Sequence, residues 1–309
     1  MLQWKKLGIN KVIFMIKYSV IIPHYQDVLS LHKLLDTIPE RSDIEIIVVD
    51  DKSSLPESQT KELKSRCIYL ENNTTVKSAG TCRNIGVTKA TGDWLVFADS
   101  DDLFPEGAFT KFDAFNSGEF DIVYFEVTSL NSSTQTVSDR HFEINELINN
   151  YNINKDEAII YSHVVPWGKL ISRVLICKHN IKFDEVIASN DVMFSLKAAT
   201  KAIKIKVTDQ LGYIVVRREG SLTKVKSVAN MKSRLGVILE RNKYLLNLNK
   251  KQYQISFISI LLQYRNVLSI SILLNLFFNV IMMRQRFFPH LSSISKFKRL
   301  ASKAIKQEF

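Results

Sequence analysis

Apolar residues follow two rhythms along the first hundred positions of the chain. Short unbroken runs rich in β-branched residues, YSVIIP (18–23), IEIIVVDD (44–51), CIYLENN (67–73) and WLVFADSDD (94–102), predict buried strands. After the first run, Val28, Leu31, Leu34, Leu35 and Ile38 recur at the spacing of one helix face, behind Asp27 as a cap. TCRNIGVTKATG (81–92) predicts a second helix, closing on Gly92. Strands alternating with helices predict a mostly parallel sheet covered on both faces, whose ligands bind beyond the carboxyl ends of the strands. Two acidic groups fall at those ends: Asp50 with Asp51, and Asp99 with Asp101 and Asp102.

The α/β pattern continues through residues 104–220. DIVYFEV (121–127) and YIVVRR (213–218) are strand-like, and NDVMFSLKAATKA (190–202) predicts a helix behind a polar cap. Beyond about residue 226 the chain turns helical, basic and apolar. Neither GxxxxGK[ST] nor a GxGxxG after the first strand occurs, so no P-loop or dinucleotide site is supported.

Charge sharpens this division. Of the net +11, the segment from Ser221 onward holds sixteen bases against two acids, a net of +14, which leaves −3 for residues 1–220. A mildly acidic body with a basic tail points to a polyanionic surface as the tail's partner. Residues 267–283 are 17 uncharged, mostly apolar positions, at the lower limit for a spanning helix, and Ser269, Ser271, Asn275 and Asn279 weaken them further. The expectation is therefore attachment in the plane of an anionic membrane surface; packing on the body, or a homo-oligomer contact, is the alternative. Nucleic-acid binding would explain the charge but not the apolar stretch beside it, and no nucleic-acid partner is expected. With 46% hydrophobic and 24% charged residues the chain is globular rather than disordered. Three scattered cysteines suggest reduced thiols in a cytoplasmic setting and no structural zinc. Near the start only Val12 to Ile16 are continuously apolar, too short for a signal core, and Met15 is an alternative initiator.

Three carboxylates within four positions repel one another unless a cation or donor groups compensate them. Mg²⁺ or Mn²⁺, held by one or two carboxylates with substrate phosphates, would do so.

Four stretches occur in order and at suitable separations: YSVIIPHYQD, IEIIVVDDKSS, GTCRNIGVTKATGDWLVFADSDDLFPEGAF and NDVMFSLKAA. Together they resemble the family 2 glycosyltransferases, which have the GT-A fold, over about residues 17–225. The resemblance implies a nucleotide sugar, usually a UDP-sugar, lying across the strand ends, with a divalent metal bridging its diphosphate to the acids. Asp99, Asp101 and Asp102 would then form the metal and ribose cluster. Asp51 would accept a hydrogen bond from the base, Pro23 and Tyr25 would line the base pocket, and Lys77 and Arg83 would face the diphosphate. Asp191, with Asn190 beside it, is nominated as the base that deprotonates an acceptor hydroxyl in an inverting transfer. Trp167, in PWGKLISR, is either a platform for an acceptor sugar or a core residue. YIVVRREGSLT would end the catalytic region, with Arg217, Arg218, Ser221 and Thr223 touching phosphate or ordering a loop.

The organisation expected is an extension (1–17), a GT-A domain (18–225, with a nucleotide-sugar half to 103 and an acceptor half from 104) and a basic helical tail (226–309). The activity expected is transfer to a glycan or lipid-linked acceptor in surface polysaccharide synthesis, at the inner face of the cell membrane. Two other readings accompany it, a catalytically silent GT-A scaffold and a phosphoryl-transfer enzyme. The latter would want an acidic nucleophile after the first strand, where Pro23 and His24 stand.

Overall fold

The computed structural model of the protein describes residues 15–115, 118–217, 227–282 and 284–289. Positions 1–14 of the expected extension, the last part of the expected tail, and Arg218, Ser221 and Thr223 lie outside the described residues.

Seven strands form one sheet: β1 (Tyr18–His24), β2 (Ile44–Asp50), β3 (Ile68–Glu71), β4 (Trp94–Phe97), β5 (Ile122–Asn131), β6 (Lys169–Ser172) and β7 (Ile205–Arg217). Their order is β3-β2-β1-β4-β6-β5-β7, and only β6 runs antiparallel to its neighbours. The β-branched runs sit in the middle because both faces are covered. Val20, Ile22, Val48 and Val96 turn to one side, against α1 (Val28–Asp36) and α4 (Ala108–Phe112). Ile21, Ile47, Leu95 and Phe97 turn to the other, against α3 (Ala79–Lys89), α7 (Arg173–Lys178) and α8 (Val192–Lys201).

Pro23 would be out of place in a fully paired central strand. Its pairing with Val49 on β2 continues, but the ladder with β4 stops at Ile21 and Phe97. The Ala98 N–H donates to the Ile21 carbonyl, so the N–H that Pro23 lacks would face the side where β4 has already left. That divergence opens the sheet at its carboxyl end.

The second predicted helix ends at Ala90, before Gly92. Gly92 instead allows close packing on β1, since a Cβ there would lie 2.7 Å from Ser19 Oγ and 2.8 Å from the Ser19 backbone nitrogen. Helix α2 (Glu57–Arg66) leads into β3 at the sheet edge, and the stretch after β5 adds α5 (Phe142–Asn154) and α6 (Ala158–Ser162). The tail forms α9 (Val228–Asn247), α10 (Phe257–Tyr264) and α11 (Ile270–Ile281). Among the described residues no helix is long and apolar enough to cross a membrane.

Candidate active site

The site lies where β1, β2 and β4 end. Past β2 the chain commits its two acids differently. Asp50 is buried; its Oδ1 is 2.9 Å from His24 Nδ1 and its Oδ2 accepts the Ser53 N–H at 2.7 Å. Burial pushes its carboxyl up, but these contacts outweigh it and hold the acid below its ordinary value. Asp50 is thus consumed in fixing the turn. Asp51 is anchored by its own N–H, which donates to the His24 carbonyl at 2.7 Å, and its Oδ1 accepts from Asn72 Nδ2 at 2.8 Å. Asn72 also donates to the Val76 carbonyl at 2.9 Å, tying the Asp51 side chain to the loop that leads into α3. Lys77 in that loop lies over the Tyr25 ring, 3.5 Å from its centroid, and Tyr25 is 45% exposed. A neighbouring hollow of about 260 Å³ is lined by Lys52, Ser53, Tyr69, Glu71 and Asn72.

Arg83 joins the two halves of the site. It stands on the buried side of α3, whose start is capped by Ser78 accepting the Thr81 N–H at 3.1 Å. One arm, Nη2, donates to Asp99 Oδ1 at 2.5 Å, and the other, Nη1, donates to Asn190 Oδ1 at 2.8 Å. Gly80 permits this approach: a Cβ would collide with the Asp184 carbonyl oxygen and come within 2.9 Å of Asn190 Cβ. Asn190 follows Ser189, which takes a left-handed φ of 61°, and the Asp184 N–H donates to the Asn190 carbonyl at 3.0 Å.

Asp191 opens α8, partly buried, and its side chain makes no capping bond. Burial raises its carboxyl above the ordinary range; Arg83 and Lys169 pull it back and Asp99 pushes it further. Lys169 comes from the start of β6 and is buried, its Nζ donating to the His163 carbonyl at 2.7 Å and lying 5.0 Å from the Tyr124 ring centroid. Burial brings this ammonium down to about 7, against the pull of Asp191. His163 is also buried, with neither ring nitrogen partnered among the described residues, and burial followed by Lys169 keeps it neutral. Lys169 was missed from sequence; a lysine opening an apolar strand was the available signal.

Two of the candidate residues turn away from the cleft. Asp102 does not face the cleft: it is 3% exposed, its Oδ2 accepts from the Tyr213 hydroxyl at 2.9 Å and its Oδ1 from the Val216 N–H at 2.7 Å. Burial, with Asp99 and Asp101 nearby, raises its carboxyl. It fastens β4's end to β7 and is not an available metal ligand. Trp167 is 5% exposed and stacks on Tyr213 with ring centroids 5.4 Å apart, so it belongs to the core rather than to a sugar platform. Asn190, also buried, spends its carboxamide oxygen on Arg83 and buttresses the start of α8 from within.

Among the described residues no three His, Cys, Asp or Glu side chains are grouped as a metal cage. Asp99, with its side chain 38% exposed, and the partly exposed Asp101 offer hard oxygen donors at the cleft. That donor set fits a divalent ion completed by diphosphate oxygens rather than by further protein ligands.

Residues 19–178 match the family described as Glycosyl transferase family 2. The chain is 26% identical over 222 residues to the uncharacterized glycosyltransferase EpsJ of Bacillus subtilis, covering 67% of this chain and 63% of that protein. It is also 26% identical over 220 residues to the poly(ribitol-phosphate) beta-N-acetylglucosaminyltransferase TarS of Staphylococcus aureus, covering 67% of this chain and 36% of that one. It thus matches from about a third to just under two thirds of these relatives' lengths. The crystal structure of S. aureus TarS 1-349 in complex with UDP-GlcNAc shares the fold (TM-score 0.57, 22% identity, covering 82% of this chain and 79% of that one). A mannosyltransferase from Pyrobaculum calidifontis in complex with GDP-Man and Mn²⁺ is a more distant fold neighbour (TM-score 0.50, 16% identity, covering 75% of this chain and 64% of that one).

Proposed function

Since the chain belongs to glycosyl transferase family 2, we propose that it transfers a sugar from a nucleotide sugar, a UDP-sugar foremost, to a hydroxyl of a glycan or lipid-linked acceptor with inversion at the anomeric carbon. The observation that carries this reading is Arg83, whose single guanidinium bonds Asp99 on one side of the cleft and Asn190, next to Asp191, on the other. Donor-side and acceptor-side acids are thereby held in one unit.

In this reading Asp51 takes the base, in the company of Tyr25, Pro23 and Lys77, and Arg83 and Asp99 take the ribose and diphosphate region. Asp99 and Asp101 would hold a divalent ion, which, when bound, supplies neutralisation of charge on the departing diphosphate. Asp191 accepts the acceptor's hydroxyl proton as that oxygen bonds to the anomeric carbon and the bond from that carbon to the diphosphate oxygen breaks. The leaving group departs as the nucleoside diphosphate. Burial of Asp191 raises its carboxyl toward the basicity a general base needs near neutral pH. We further propose that the work is done at the inner face of the cell membrane in surface polysaccharide synthesis, the basic tail lying on anionic lipid.

The test is nucleoside diphosphate release from a panel of nucleotide sugars, with Mn²⁺ or with EDTA. Asp191→Asn is expected to lower turnover by about 10²- to 10⁴-fold while donor affinity, by calorimetry, stays near normal. Loss of donor affinity with retained turnover of bound donor would remove Asp191 from the role of base.

A further inference from the structure

From α11 and the turn after it we infer that the tail meets the membrane through a defined apolar face, the stripe Ile270, Leu274, Phe277, Phe278 and Ile281, lying in the plane of an anionic bilayer. The inference rests on the tail attachment proposed above and gives it a surface. Residues separated by four, three, one and three positions share one side of a helix. These five range from 53% exposed at Phe277 to 76% at Ile270. The helix is already docked by its other side, where Leu276, Ile272 and Val280 pack with Leu235, Ile260 and Tyr264. The outward stripe is therefore surplus to the needs of the fold, and Phe288, past the helix end, is exposed as well. Five large apolar side chains left more than half exposed on one helix face are what a docking surface presents.

Charge selects the occupant. Arg265 precedes the helix and Arg284 and Arg286 follow it, and the chain has no acid between Glu240 and Glu308. A second copy seated on the stripe would bring the same basic segment up against itself, like charge facing like charge. An anionic lipid surface answers both features, apolar residues entering the headgroup boundary and bases meeting the lipid charge. The helix has 12 residues, roughly 18 Å, against a hydrocarbon core of about 30 Å, so it lies in the interface rather than across it. The fold also gives the docked helix a fixed relation to the site, because the α9 residue Ser233 donates through Oγ to the Ala188 carbonyl at 3.0 Å, three residues before Asp191.

The experiment is flotation of the full chain with phosphatidylcholine vesicles, with and without phosphatidylglycerol. Leu274→Glu with Phe278→Glu is compared with a milder pair, Phe277→Ser with Phe278→Ser, and circular dichroism and nucleoside diphosphate release in solution serve as checks of fold and activity. The expected result is binding that needs phosphatidylglycerol and falls roughly tenfold or more in both variants. Variants that bind as tightly as the parent would overturn the stripe while leaving attachment by the bases standing. A parent that does not float with anionic vesicles would overturn stripe and attachment together, without touching sugar transfer, which the release assay reads separately. A parent that sediments as an oligomer dissociated by these variants, and binds no vesicle, would assign the face to a second copy and likewise overturn the inference.

Discussion

Lys169 shows how one side chain can couple stability and chemistry. Its ammonium is enclosed with one hydrogen bond and one aromatic face, and burial lowers it to about 7. In the unfolded chain the same lysine titrates near 10.4. Between those values the unfolded state binds a proton that the folded state does not, so this residue's contribution to stability rises with pH across that window and is flat below it. From pH 7 to pH 9 the gain is about 2 kcal/mol, read by urea unfolding, and it should vanish in Lys169→Met. The same variant has a second consequence, because Lys169 lowers the Asp191 carboxyl. Its removal should move the acid limb of the kcat/KM profile to higher pH, whereas a merely structural lysine would leave that limb in place. Arg83 invites a different substitution. A lysine offers a point charge where the guanidinium forks between Asp99 and Asn190. Arg83→Lys is expected to weaken binding of the nucleoside diphosphate roughly tenfold by calorimetry. Unchanged affinity would take Arg83 off the donor side.

At the scale of elements, the site depends on α3 lying almost against the loop before α8. Gly80→Ala puts a methyl into the Asp184 carbonyl and Asn190, so it should cost about 1–3 kcal/mol and displace Asp191. Gly236, within α9, has nothing near its missing Cβ, and Gly236→Ala should stabilise by about 0.5–1 kcal/mol. Thermal melts of the two variants check both; a harmless Gly80→Ala would mean that the loop yields freely. The same comparison explains what could be read in advance. Buried strands announce themselves through continuous β-branched runs, and β1, β2, β3 and β4 fall on the four runs named from sequence. The two acidic groups at the strand ends were equally legible, since topology alone brings them to one edge. What each carboxylate does there was not. Asp99, Asp101 and Asp102 read as one metal and ribose cluster in sequence, but Asp102 is taken by Tyr213, 111 residues away on β7. Trp167 is claimed by the same tyrosine. Such assignments depend on long-range packing and leave no local pattern.

Considered as a whole molecule, the tail is less separate than its composition suggests. A change from acidic α/β chain to basic helices reads as a boundary near residue 226, but α9 packs on the α/β body itself. Leu245 is fully buried in one cluster with Met193 and Leu196 of α8 and Tyr161 of α6. Arg241, buried and held down to about 10 by desolvation, donates through Nη2 to the Tyr161 carbonyl at 3.0 Å. Thr200 Oγ1 and the Tyr244 hydroxyl are 2.9 Å apart. The Ala188 N–H and carbonyl both meet Ser233 Oγ, at 3.3 and 3.0 Å, so the loop entering Asp191 is clasped from the tail side. Removing everything after residue 225 would therefore not leave the α/β body intact. It would strip one wall from α8 and release the loop that leads into Asp191. Leu245→Ala is the gentler test: opening this cluster should cost about 2–5 kcal/mol. If tail and body form one cooperative unit, the loss appears as a lower midpoint of a single transition by calorimetry, with donor release falling in parallel as temperature rises. Two separate transitions, with only the first shifted and activity following the second, would show instead that the tail melts on its own and that α8 stands without it.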